Sequence, residues 1–272
     1  MKDKYCFKID KGGADSLNLL DYCFNDSTQN FLLRSGLKQG MTVLELGCGS
    51  GKMSTWIAEQ IGVEGQLIAI DNNQYQVDAA RKYSVEQGID NIDYRCLDAY
   101  DLNQLDEQFD MVYCRFILHH LSRPRAVISE MYKLLKKEGI VALEEGIVNH
   151  GFAYPYNIAF GNERFDILDH HENFEGEQRD GNFGIKLYQS LYKANFRDLS
   201  LNLVAPSLVS QAEKSMLMAG FVASKESVLE SGVTEQQWQD KLLELKVLIV
   251  DESAVVGFYQ SAQVNGRKLE DA

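Results

Sequence analysis

An alternation of short apolar strands with amphipathic helices over residues 41–148 predicts an α/β fold, a doubly wound sandwich. Two further observations support it. A glycine-rich turn, GCGSG at 47–51, joins the first strand to the helix that follows. The strands are mostly unbroken apolar runs, as expected of parallel strands buried on both faces and linked by right-handed crossovers.

The elements follow in order. The first 40 residues read as helical over 15–35 and precede the first strand, 41–46 (MTVLEL). A helical pattern spans 52–61, and 66–71 (QLIAID) is the second strand. A helix over 74–88 ends at Gly88, and 92–97 (IDYRCL) is the third strand. The run 109–114 (FDMVYC) leads to a helix over 123–138, with Ser122 as its N-cap, Pro124 in its first turn and Gly139 just past its end. Residues 140–148 (IVALEEGIV) give the fifth strand.

The rhythm then breaks. Residues 149–184 are rich in Gly, Asn, acids and aromatics, which suits a lid or binding segment. A helix (185–194) and a strand (196–204) resume the core. Residues 207–252 read as two or three helices, including 234–250 with Trp238, Leu242, Leu245 and Ile249 near helical spacing. A last strand, 254–264, closes the sheet. The expected organisation is one domain, 1–272, carrying an N-terminal helical segment (1–40), a lid insertion (149–184) and a helical cap insertion (207–252).

Composition excludes several classes. With 272 residues, 45% hydrophobic and 25% charged, the chain can bury a core that collagenous or disordered sequences cannot. No apolar run reaches the ~18 residues of a membrane helix, and MKDKYCFKID is too charged for a secretory signal. Lys and Arg number 27 against 40 Asp and Glu, a net charge of −13, which argues against a nucleic-acid partner. Five cysteines without a C-x-x-C pair read as small hydrophobes in a reducing, cytoplasmic setting.

The chemistry concentrates at the strand ends. Gly47, Gly49 and Gly51 let the backbone turn sharply and approach a ligand, and the next helix presents free N–H groups there. Lys52 stands where a dinucleotide fingerprint needs its third glycine, and the spacing does not fit a P-loop. Glu45 before the glycines suits a cationic or amine-bearing ligand better than a pyrophosphate. Asp71, ending strand two, can reach ribose hydroxyls or cap the next helix. Asp98 after strand three can accept from an exocyclic amine, with the Ala99 N–H beside it, or simply hold a turn.

His119 and His120 follow strand four and are candidates for a catalytic base, or for packing and capping. His150, Tyr154 and Tyr156 open the lid over the same edge, the two tyrosines as candidate substrate contacts. Alternation turns one of Glu144 and Glu145 toward the site. The cluster DILDHHE at 166–172 matches no zinc signature, so no metal is expected, and the stretch 162–180 carries seven acids against two bases.

E-x-G-x-G-x-G at 45–51, the acid ending strand two, the Asp-Ala pair after strand three and FDMVYCRFILHHL at 109–121 together resemble the class I S-adenosylmethionine-dependent methyltransferases. The nearest likeness is to bacterial small-molecule enzymes related to the ubiquinone/menaquinone methyltransferases. The resemblance implies a Rossmann-like, seven-stranded sheet whose seventh strand is antiparallel, with helical and loop cap insertions. It implies S-adenosyl-L-methionine as cofactor, with Glu45, Gly47, Cys48, Gly49 and Gly51 around its methionine part. It places Asp71 on the ribose, Asn72 beside the adenine, Asp98 and Ala99 receiving the adenine, and Arg115 against the methionine moiety or the substrate.

The expected activity is methyl transfer to a small molecule, with the acceptor atom (O, N or C) open and the oligomeric state open, a homodimer included. An RNA or protein acceptor, a non-catalytic cofactor-binding protein of this fold and an NAD-dependent oxidoreductase are the alternatives. The acidic balance speaks against RNA, and the glycine spacing against NAD.

Overall fold

The computed structural model describes residues 11–157, 180–230 and 232–269. Helix α1 (Lys11–Ser35) precedes β1 (Thr42–Leu46), α2 (Lys52–Ile61), β2 (Gln66–Asp71), α3 (Gln74–Glu86) and β3 (Ile92–Cys96). A 3-10 segment (Ala99–Gln104) leads to β4 (Phe109–Arg115), a short turn of 3-10 helix (Leu118–His120), α4 (Pro124–Leu134) and β5 (Leu135–Ile147). Then come β6 (Phe152–Tyr154), α5 (Phe183–Lys193), β7 (Arg197–Val204) and β8 (Ser207–Leu208). Four helices follow, α6 (Gln211–Ser215), α7 (Leu217–Ala223), α8 (Lys225–Glu230) and α9 (Glu235–Val250), and finally β9 (Val255–Gly257) and β10 (Gln260–Arg267).

Seven strands form one sheet in the order β3-β2-β1-β4-β5-β10-β7. The first five are mutually parallel; β10 runs antiparallel to both β5 and β7. This is the seven-stranded sheet with an antiparallel last strand that the resemblance implies. Leu44, Leu46, Val112, Cys114 and Leu143 pack one sheet face on Val127 and Met131 of α4 and Leu187 and Leu191 of α5. Val43, Leu67, Met111, Tyr113 and Ala142 pack the other on Phe31 and Leu32 of α1, Ile57 of α2 and Val77 of α3. A third cluster joins Leu19 and Phe24 of α1 to Leu217, Phe221, Trp238 and Leu245 of the cap helices and to Phe258. The cap therefore rests on α1.

Three elements differ from expectation. Helix α4 stops at Leu134 instead of 138, and β5 begins at once. Glu138 takes a left-handed φ of 61°, and its N–H donates to Lys268 O at 2.9 Å while Lys268 N–H answers Gly139 O. These tertiary bonds to the end of β10 override the helical propensity of LLKKE. Nor does Ser122 cap α4; its hydroxyl lies 3.2 Å from the Tyr100 hydroxyl, and Arg123 occupies the cap position.

The single strand expected over 254–264 is two. Val255–Gly257 joins a separate three-stranded sheet ordered β6-β9-β8, and Phe258 and Tyr259 turn inward before β10 starts. The cap holds four helices plus β8, where two or three helices were expected; α6 and α9 each open with a capping box, Ser210–Glu213 and Thr234–Gln237. The acidic run 162–179 and the cluster 166–172 lie outside the described residues.

Candidate functional site

The carboxyl ends of β1, β2, β4 and β5 meet in the middle of the sheet, where strand order reverses and an α/β sheet opens a crevice. The N–H groups of Gly47 and Cys48 donate to Ile70 O at 2.8 and 3.0 Å, hooking the glycine turn onto β2. All three glycines have positive φ, 77°, 49° and 80°. Their surroundings separate their roles. A Cβ on Gly47 would lie 2.2 Å from Ile117 Cδ1, and one on Gly51 would lie 2.8 Å from Ala80 Cα of α3. A Cβ on Gly49 would meet nothing within 4 Å. Gly47 and Gly51 are glycines for packing, and Gly49 is the one whose backbone borders open space. Cys48 is buried among apolar side chains, which pushes its thiol pKa up.

Asp71 is built into this turn. Its Oδ2 accepts from Gly49 N–H at 3.1 Å and its Oδ1 from Asn73 N–H at 3.0 Å. The cap of α3 is Asn73, whose side chain accepts from Tyr75 N–H at 2.9 Å. Asp71 thus joins two loops, and each oxygen keeps a lone pair for a further donor. Asn72 is exposed beside it. Asp98 Oδ1 accepts from Tyr100 N–H at 3.0 Å, the turn-holding role, and Ala99 is half-buried next to it.

Beneath the turn a polar ladder crosses the sheet on the α1 side. Glu45 and Tyr113 are register partners on β1 and β4, and Arg115 and Glu144 on β4 and β5. Arg115 donates to Asn25 Oδ1 at 2.8 Å, Thr28 Oγ1 at 3.1 Å and Asp21 Oδ1 at 3.1 Å, all on α1. Thr28 and Ser261 hydroxyls each donate to Glu144 at 2.6 Å, and Gln263 Nε2 does so at 3.1 Å. Lys52, the first residue of α2, pairs with Asp21 Oδ2 at 3.0 Å and Asn18 Oδ1 at 2.8 Å. Helix α1 is therefore pinned across the start of α2. Sequence reasoning missed this arrangement, although Asp21, Asn25 and Thr28 sit at i, i+4, i+7, a polar stripe on one helix face.

Glu45 is fully buried, and its Oε2 has no hydrogen-bond partner. Burial pushes its carboxyl from 4.5 up to about 7, against the pull of Arg115. Burial likewise raises Asp71 and Glu144. A carboxyl raised on folding holds its proton while the unfolded chain has already lost it. Its stabilising contribution is complete below the unfolded value and is lost as pH rises through the folded one. For Glu45 that window runs from 4.5 to about 7, worth ~3 kcal/mol. Stability by urea titration should thus fall as pH rises from 4.5 to about 7, and Glu45→Gln should remove the Glu45 share of that fall. An equal pH slope in the variant would contradict the assignment.

On the opposite face of β5, Glu145 is completely buried and points to the loop after β4. Its Oε1 accepts from Ile117 N–H at 3.0 Å and Leu118 N–H at 2.7 Å, and its Oε2 from His119 N–H at 3.3 Å. His119 Nδ1 lies 2.6 Å from the same Oε2. The His119 ring lies tilted by 46° against His120, with centroids 3.9 Å apart, and meets Phe116 edge-on at 6.3 Å. Phe116 adopts a left-handed φ of 56° and contacts Phe24 and Tyr259, with ring centroids 4.9 and 6.0 Å away. The alternation argument selects one glutamate for the site; the structure gives both a place, Glu144 in the ladder and Glu145 on His119.

Other candidates sit farther out. His150 is exposed, with Nδ1 3.0 Å from Gln260 Oε1, and Tyr154 and Tyr156 are largely exposed around β6. Among the described residues no group of three His, Cys, Asp or Glu could hold a metal ion, and no helix is long and apolar enough to cross a membrane.

Residues 43–139 match a family model described as a methyltransferase domain. Over 122 residues the chain is 32% identical to a demethylmenaquinone methyltransferase of Lactobacillus johnsonii, covering 44% of this chain and 50% of that protein. It is 36% identical over 118 residues to a ribosomal protein L11 methyltransferase of Thermosipho melanesiensis, covering 43% of this chain and 42% of the other. The match thus spans half or less of these relatives. The solved structure of the YcgJ protein of Bacillus subtilis superposes with a TM-score of 0.59 at 15% identity, over 91% of this chain and all of that one.

Proposed function

We propose that this protein, whose residues 43–139 match a methyltransferase-domain model, is a class I S-adenosylmethionine-dependent enzyme that transfers the methyl group of that cofactor to a small-molecule acceptor. The observation that carries the reading is the stitched turn, in which Asp71 Oδ2 holds Gly49 N–H while Gly49 itself borders open space. The residues fit such a cofactor. Asp71 keeps two acceptor lone pairs for a vicinal diol, and the unpartnered Glu45 Oε2 beside the turn suits an ammonium. Asp98 and Ala99 stand at the neighbouring strand end for the adenine.

The cofactor supplies an activated methyl on sulfur, so the protein's work is alignment, exclusion of water and, for a protic acceptor, removal of a proton. A small acceptor is supported by the net charge of −13 and by the aromatic cluster of Phe24, Phe116 and Tyr259 next to the loop that carries His119. The acidic balance would repel RNA. A cytoplasmic enzyme is consistent with this reading.

Calorimetry tests it. S-adenosylmethionine should bind with micromolar affinity and NAD should not. Asp71→Ala should weaken the cofactor at least tenfold while circular dichroism keeps the native spectrum. Binding of NAD in preference to the sulfonium cofactor would remove the proposal.

A further inference from the structure

We infer that Glu145 and His119 form a proton-accepting pair, and that the acceptor it serves is a hydroxyl on an aromatic or unsaturated ring. The inference rests on the methyltransferase reading and deepens it. Glu145 Oε1 takes two backbone N–H groups, and Oε2 takes a third together with the contact to His119 Nδ1 at 2.6 Å. A side chain surrounded by donors on every other contact acts as acceptor here as well, so the proton of that contact sits on Nδ1. The imidazole is then fixed in the Nδ1–H tautomer, and Nε2 carries the lone pair. Glu145 is the positioning residue and His119 the base.

The loop that carries His119 also packs on the glycine turn. Ile117, two residues before His119, fills the space over Gly47 of the cofactor turn. The groups against the imidazole are Glu145 from β5, the His120 ring from its own loop and the Phe116 ring; Asp180 N–H donates to the His119 backbone carbonyl at 3.1 Å, and its carboxylate pairs with Lys186 at 2.6 Å. The aromatic neighbours and the oriented His119 imidazole suit a planar, weakly acidic O–H.

The step balances. As the acceptor oxygen's electron pair forms the bond to the methyl carbon, its proton passes to His119 Nε2. The carbon–sulfur bond breaks, and its electrons leave the sulfonium as a neutral thioether. The imidazolium next to Glu145 later returns its proton to solvent.

Glu145→Gln tests the pair on the full-length chain. A glutamine keeps the size and the Oε1 contacts but presents N–H to Nδ1, which forces the Nε2–H tautomer. Long-range nitrogen–proton correlation spectra should show His119 as Nδ1–H in the wild type and Nε2–H in the variant. S-adenosylmethionine affinity should stay within threefold, which separates this pair from the cofactor reading itself. With 2-naphthol as probe acceptor, kcat should fall at least 100-fold with KM within threefold, and His119→Gln should fall equally without touching the Glu145 backbone contacts. An Nε2–H tautomer in the wild type, or no tautomer change in the variant, overturns the pair. Preferential methylation of 2-naphthylamine, or transfer to neither probe, overturns the hydroxyl acceptor.

Discussion

Replacing Arg115 with alanine is expected to lower stability by about 3–5 kcal/mol, the usual cost of leaving buried partners of a charge uncompensated. Arg115 serves Asp21, Asn25 and Thr28 of α1 as well as the field at Glu144. Without it Glu144 keeps its three hydroxyl and amide donors but loses the charge that opposes its burial. The deficit should therefore shrink as pH falls and the raised Glu144 carboxyl takes up its proton, and grow as pH rises. Adding Glu144→Gln to Arg115→Ala should recover at least half of the loss in urea titrations. A single-variant cost under ~1 kcal/mol would mean that the ladder does not hold α1 to the sheet.

The second large effect separates two glycines that look equivalent in the sequence. Gly51→Val should cost ~2–5 kcal/mol, combining a left-handed backbone at φ 80° with overpacking against Ala80, whose backbone carbon would lie 2.8 Å from the new Cβ. Because that neighbour is backbone of α3, it cannot swing aside. Gly49→Ala has the strain of φ 49° alone, ~1–2 kcal/mol, with no steric partner. Its main effect should be on the cofactor, at least tenfold weaker by calorimetry, because the methyl would enter the open space. If Gly49→Ala were the more unfolded of the two, the division of labour within the turn would be wrong.

The contrast shows what periodicity and spacing can carry. The parallel strands and their helices were legible because each is an apolar run or stripe bounded by its own turn residues. Sequence could say that residues 47–51 need glycine, but not why, since the reasons are Ile117 and Ala80, 70 and 29 residues away. Helix α4 was overextended because LLKKE has helical propensity and nothing local reveals that Lys268 will claim its backbone. The strand at 254–264 was drawn as one piece because AVVGFYQSAQV is rich in β-prone residues and holds no proline, while its division depends on Phe24 receiving Phe258 and Tyr259. His119 was visible as a residue type; its orientation was not, because it depends on the pleat of β5 sending Glu145 to one face and Glu144 to the other.

The place of β10 also governs the order in which the sheet can be completed. β10 fills the gap between β5 and β7 and pairs with both, yet it is made after every other strand. During synthesis the emerging chain can assemble β3 through β5 in sequence, but β7 has no neighbour to join until residues 260–267 arrive. Ser261 and Gln263 travel on that same segment, so the carboxylate of Glu144 waits for them as well. The last strand acts as a keystone, and a ribosome-stalled chain ending before it should still be sensitive to protease at β7 after the cofactor half has become resistant.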